Sequence, residues 1–124
     1  MKIKTFKDAC KKLKRKDVLP DFSMLPEKYQ KAFLALFQLV TIIEAINGKW
    51  SANWNDSSQT KYYPWFRIEA SEEKPSGFSV SCTGYDYTYS ATLVGSRLVL
   101  KTSADAMYVA KQFEDLYKDW LLIL

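Results

Sequence analysis

The side chains in this sequence best suited to chemistry are rings and cations, and they fall into two groups. Tyr62, Tyr87 and Tyr89 lie in stretches predicted as strands and Tyr85 in the turn or bulge between two of them, and together they could present rings on a small sheet that stack on unpaired bases. Lys11, Lys12, Lys14 and Arg15 lie in a basic amino-terminal segment, and Arg97 follows Gly95 and Ser96. Rings beside cations that follow a phosphate backbone would bind single-stranded nucleic acid, each stacked base contributing roughly 1–3 kcal/mol. The same residues also suit a plainer role. Tyrosines often cover the edge of a core, and Arg97 could pair with Asp56 or Glu69 across a sheet. The first reading is therefore a non-enzymatic interaction or structural protein with an unknown protein partner. Single-stranded nucleic-acid binding through the sheet tyrosines and the lysine-rich arm is the alternative.

Catalysis finds little to build on. The 124 residues contain no histidine, which removes the usual general base and the commonest metal ligand. Two cysteines, Cys10 and Cys82, are too few for a structural zinc site. Without a secretory signal they read as reduced thiols of an intracellular protein. Glu72 and Glu73 sit in a turn-rich segment, and Glu114, Asp115 and Asp119 on the polar side of a helical pattern, so no carboxylate is marked as buried. The loop residues Asn53, Asn55, Asp56, Ser57, Ser58 and Gln59 offer one carboxylate, too few for a calcium loop, and suit turns. The expectation is a cytoplasmic protein that is not an enzyme and has no cofactor, no metal and no membrane partner.

Charge divides the chain into a basic arm, residues 1–16, and a single α+β domain, residues 17–124. The arm holds eight basic side chains against Asp8, whereas the other 108 residues hold ten basic and thirteen acidic ones. Thr5 and Asp8 predict a capped helix over residues 6–15, with Phe6, Ala9, Cys10 and Leu13 on its apolar side. Residues 17–26, with Pro20 and Pro26, form a connector. A long helix over residues 26–46 then ends at Asn47 and Gly48. It is apolar around most of its circumference, which predicts burial on more than one side. Its most apolar run, residues 32–46, is shorter than a membrane span.

Six rings lie between Trp50 and Phe66, and Trp50, Trp54, Trp65 and Phe66 read as core. Alternation then predicts strands at residues 62–70, 78–83, 87–93 and 97–101, with a turn or bulge at Gly84, Tyr85 and Asp86. Short connections predict a three- to four-stranded antiparallel meander with both major helices on one face. Thr102 and Asp105 cap a final helix over residues 103–121. The apolar ending Leu121, Leu122, Ile123 and Leu124 needs burial, in the domain's own core or by self-association.

One resemblance stands beside this reading. The succession Trp50, Trp54, Tyr62, Tyr63, Pro64, Trp65 and Phe66, then Val94, Gly95, Ser96, Arg97 and Leu98, followed by Lys111, Gln112, Phe113, Leu116 and Tyr117, resembles a family of short uncharacterised proteins. They occur in phage and mobile-element regions of gut bacteria. The resemblance implies a phage-type cytoplasmic protein and brings no activity, cofactor or catalytic residue with it.

Overall fold

Helix α1 (Phe6–Leu13) starts where Thr5 Oγ1 accepts from the Asp8 amide at 3.1 Å and the Asp8 carboxylate accepts from the Lys4 amide at 3.0 Å. This reciprocal cap satisfies amides that the first turn cannot. The helix stops at Lys14, which adopts a left-handed conformation (φ 56°). The computed structural model describes residues 3–68, 77–86 and 91–122. Ile3 is buried in the core, Tyr108 Oη donates to its carbonyl at 2.7 Å, and Gln112 donates to the Lys4 carbonyl at 3.0 Å. The basic segment is thus tied to the domain from its start.

Helix α2 (Glu27–Asn47) follows Pro26 and ends at Gly48, whose φ of +61° suits a residue without a Cβ. Helix α1 lies along its carboxy-terminal half and runs in the same direction. Phe6 meets Phe37 at 6.0 Å between ring centroids, and Arg15 forms a two-pronged pair with Glu44. Lys12 Nζ donates to the Ala45 carbonyl, one of the last-turn carbonyls that α2 leaves without an intrahelical donor.

Neighbours cover α2 on more than one side, as the sequence predicts, with α1 along one flank and α4 along another, but one strip of the helix stays open. Leu39, Ile42, Ile43 and Ala45 are buried, but Tyr29, Phe33 and Phe37 are 40%, 46% and 38% exposed. The three sit four residues apart and form one stripe down the helix. At 21 residues, α2 is long and apolar enough to cross a membrane by length and composition, yet only 33% of its apolar window is buried in the domain. The apolar residues outnumber the neighbours available to cover them.

The sheet is smaller than predicted. Strands β1 (Lys61–Arg67) and β2 (Ser79–Asp86) pair antiparallel, with a register shift between Trp65 and Phe66. On its other side, among the described residues, β1 has only an isolated bridge from Tyr62 to Leu100. Among the described residues, the three- to four-stranded meander is not found, and in its place stand a two-stranded sheet and that bridge. Part of the strand predicted at 87–93, residues 87–90, lies outside the described residues. Residues 91–93 are not a strand, because Thr92 Oγ1 accepts from the amides of Val94 and Gly95 and turns the chain. The strand predicted at 97–101 is instead a 3₁₀ turn at Ser96–Leu98 leading into the bridge. Asn47 ends the pairing there, since its side chain donates to the Val99 carbonyl at 2.9 Å and accepts from the Lys101 amide at 3.3 Å. A side chain occupies the place of a neighbouring strand.

Gly84, Tyr85 and Asp86, predicted as a turn or bulge, belong to β2, and at Gly84 there is no room for a side chain. A Cβ there would lie 2.0 Å from Trp65 Nε1 and 2.8 Å from Tyr63 Cε2, so the absence of a side chain lets the cross-strand indole lie down.

The predicted carboxy-terminal helix is two helices, α3 (Ser103–Gln112) and α4 (Glu114–Leu121). Thr102 Oγ1 caps α3 by accepting from the Asp105 amide at 3.0 Å. The break is at Phe113, buried and non-helical (φ −116°, ψ 31°), with neither proline nor glycine involved. It lets the two helices serve different partners: α3 covers β1 and β2, and α4 packs on α2. Only α3 thus plays the sheet-covering role predicted for both major helices. The core runs between these layers, from Ile3 and Ala9 through Leu39, Ile42 and Ile43 to Phe78, Leu100 and Val109.

Candidate functional site

The break at Phe113 and the short sheet together leave a groove between β1 and α4. Its floor is aromatic. Phe66 stacks on Phe78 (4.7 Å between centroids, 15° between planes) and meets Tyr117 at 4.8 Å, and Tyr117 meets Trp120 at 6.3 Å. The rim carries Trp65, Ile68, Leu93 and Leu121, between 43% and 71% exposed. The space enclosed is about 280 Å³. Trp65, expected in the core, lies on this rim because its ring rests on the bare backbone of Gly84.

Tyr117 brings a polar group to this largely apolar lining. Tyr117 is 2% exposed, and its hydroxyl has no hydrogen-bond partner among the described residues. Burial pushes its pKa far above the ordinary 10.0, so it remains a donor at any physiological pH. An unsatisfied buried hydroxyl costs about 1–3 kcal/mol, a cost that an occupant bringing an acceptor would remove.

The residues singled out by sequence are scattered. Tyr62 and Tyr85 face each other across the sheet, 6.4 Å between centroids, with Tyr85 56% exposed. Tyr87 and Tyr89 lie outside the described residues. Lys12 and Arg15 help to dock α1 on α2, whereas the side chains of Lys11 and Lys14 make no hydrogen bond or ion pair among the described residues. Arg97 is exposed beside a smaller cavity of about 190 Å³ that Trp50, Asn47 and Glu44 also line. Of the two partners expected for it, Asp56 does not pair with it and Glu69 lies outside the described residues; Glu44 does not pair with it either. The Asp56 carboxylate accepts from Ser58, which holds its pKa below the usual range, and Glu44 belongs to Arg15. No hydrogen bond, ion pair or ring contact among the described residues joins the tyrosine pair to the basic helix.

Lys61, at the start of β1, is fully buried. Its ammonium donates to the Asp56 carbonyl at 3.0 Å and lies 5.0 Å from the Trp54 ring centroid. Trp54 Nε1 in turn donates to Ser96 Oγ at 2.6 Å. The loop between the tryptophans and β1 is therefore an anchored turn. Asn53 and Asp56 accept from the amides two residues on, and Gln59 reaches back to the Ser51 carbonyl. Cys10 is a free, buried thiol. Among the described residues, no three histidine, cysteine or carboxylate side chains gather where they could hold a metal ion. The groove itself left little trace in the sequence, since the alternation around Trp65 reads equally well as core.

No protein-family model matches the chain, and neither a curated protein nor a solved structure is significantly similar to it.

Proposed function

We propose that this chain is a non-enzymatic interaction module, of the kind phages and mobile elements encode, that takes an extended apolar segment of a protein partner into the groove between β1 and α4. The observation that carries this reading is the Tyr117 hydroxyl, buried and without a partner among the described residues, on a side chain that lines a largely apolar groove. A peptide segment matches both requirements. Its side chains would cover Trp65, Ile68, Leu93 and Leu121, and its main chain supplies carbonyl acceptors. The edge of β1 beyond the Tyr62–Leu100 bridge, with only β2 on its far side among the described residues, offers such a segment a strand to run along. Covering an exposed Leu or Ile side chain contributes on the order of 1.5–3 kcal/mol, so three or four rim contacts suffice for micromolar binding after the costs of association.

The test is a titration with short peptides of alternating valine and serine, read by the emission of Trp65 and Trp120, both of which line the groove. Binding should weaken at least tenfold in Ile68→Ser and Leu93→Ser. Unchanged affinity in both variants refutes the assignment. If the occupant is instead a second copy of the chain, sedimentation will show concentration-dependent dimers that Leu121→Ser abolishes.

One observation favours a second reading, single-stranded nucleic-acid binding. The facing Tyr62 and Tyr85 rings are partly open to solvent and could bracket a base. Titration of a labelled oligonucleotide at two salt concentrations tests it, with Tyr85→Ala as the variant. Absence of binding at low salt rejects this reading.

A further inference from the structure

A second apolar surface runs along α2 and the connector before it, and its Phe33 shares a small cavity of about 170 Å³ with Trp120 of α4. The stripe of Tyr29, Phe33 and Phe37 continues onto the connector after α1, where Phe22 meets Phe33 at 5.7 Å between centroids. Val18, Leu19 and Met24 on that connector are 65%, 46% and 75% exposed. Such exposure of large apolar side chains in one neighbourhood calls for a covering surface. The charge beside it indicates which. Residues 1–31 hold ten basic side chains against four acidic ones. Two of those acids are engaged locally, Asp8 in capping α1 and Asp21 in accepting from the Ser23 amide at 2.8 Å. Lys12 and Arg15 pin the basic helix against α2, and Phe6 touches Phe37, so the cations are held next to the aromatic stripe. The side chains of Lys7, Lys11, Lys14 and Lys16 are exposed and make no ion pair among the described residues.

We infer that this face binds an anionic lipid surface, with Leu19 and Met24 entering the headgroup boundary and the lysines of α1 contacting acidic headgroups. This replaces the sequence expectation of no membrane partner with a peripheral contact. It is not a span. The opposite side of α2 carries Leu39, Ile42 and Ile43, all at most 1% exposed in the domain core, so inserting the whole helix would dismantle the fold. Self-association through this face is disfavoured, because it would bring two basic helices together. A bilayer rich in acidic lipid answers both features at once: it accepts apolar tips, and it attracts lysines held near its surface.

Sedimentation with phosphatidylcholine vesicles, with and without phosphatidylglycerol, tests the inference on the full chain. Binding is expected only to the acidic vesicles and should weaken as salt is raised. Leu19→Ser combined with Met24→Gln, neutral changes at exposed positions, should lower it at least tenfold while the melting temperature stays put. Lys7→Gln and Lys11→Gln should each lower it roughly fivefold. Leu93→Ser, in the groove, should leave it unchanged, so this result and the peptide titration succeed or fail separately. No binding to acidic vesicles, or full binding by the Leu19→Ser, Met24→Gln variant, overturns the inference.

Discussion

Replacing Tyr117 with phenylalanine should make the isolated protein more stable and its groove a poorer binder. The ring makes the contacts that matter for packing, to Phe66 at 4.8 Å and Trp120 at 6.3 Å, and phenylalanine keeps them. What is lost is a hydroxyl that is buried and has no partner among the described residues. Leaving such a group unsatisfied costs about 1–3 kcal/mol, so its removal should stabilise the fold by about 1–2 kcal/mol. For a chain of 124 residues that is a rise of about 4–8 °C in melting temperature. Peptide affinity should move the other way, falling about five- to tenfold for the loss of one hydrogen bond. A pH signature accompanies the change. The folded-state pKa of Tyr117 is raised above its ordinary 10.0, so the stability tied to its neutral form is fully present below that pH. Above it, the unfolded chain releases this proton and the folded chain does not, so stability declines. The variant should therefore lose less stability than the parent between neutrality and pH 11. Differential scanning calorimetry of both proteins across that range measures the stability and its pH dependence, and the peptide titration measures the affinity. A melting temperature that falls in Tyr117→Phe would mean that the hydroxyl already has a partner, and the argument for an occupant would fail with it.

Other consequences follow from the framework that holds the groove. Gly84→Ala puts a Cβ into the Trp65 indole and should destabilise by about 1–3 kcal/mol, with tryptophan emission shifted to the red as the ring is lifted off. Asn47→Ala removes both bonds that end the pairing at Leu100, and leaves the carbonyl of the buried Val99 without its donor. It should cost about 2–4 kcal/mol by chemical denaturation, several times more than an exposed asparagine elsewhere. Asp8, Asp21 and Asp56 have pKa values lowered from 3.8, chiefly by hydrogen bonds from backbone and serine donors. Their contribution is present above the ordinary value and is lost as pH falls below it through the folded values, so stability should be level near pH 6 and decline below about pH 4. A decline that begins near pH 6 would contradict these assignments.

Local signals in the sequence translated well wherever the physics was local. Thr5 with Asp8, and Thr102 with Asp105, announced two helix starts. Pro26 and Gly48 bounded α2 within a residue, since caps and positive φ depend on immediate neighbours. Pairing between distant segments was less legible. The alternation near Leu100 looked like a strand, but an asparagine more than fifty residues earlier takes up the flanking backbone groups. Periodicity carried the final helix straight through Phe113, because no proline or glycine marks a break that arises from two helices needing different partners. Trp65 read as core by type alone. Its exposure depends on Gly84, which shapes the groove while looking in sequence like a turn residue. Lys61 shows the same limit from the other side, as a cation buried by a tryptophan and a loop carbonyl that no spacing rule connects to it.

The groove as a docking site for an extended apolar segment is the central claim, and amide chemical shifts test it most directly. Isotope-labelled protein titrated with the alternating valine–serine peptides should show saturable shifts centred on Phe66, Ile68, Leu93, Leu98 and Tyr117, with Tyr29, Phe33 and Phe37 unmoved. Shifts confined to α2 and the connector, or no saturable shift at any peptide concentration, would contradict it.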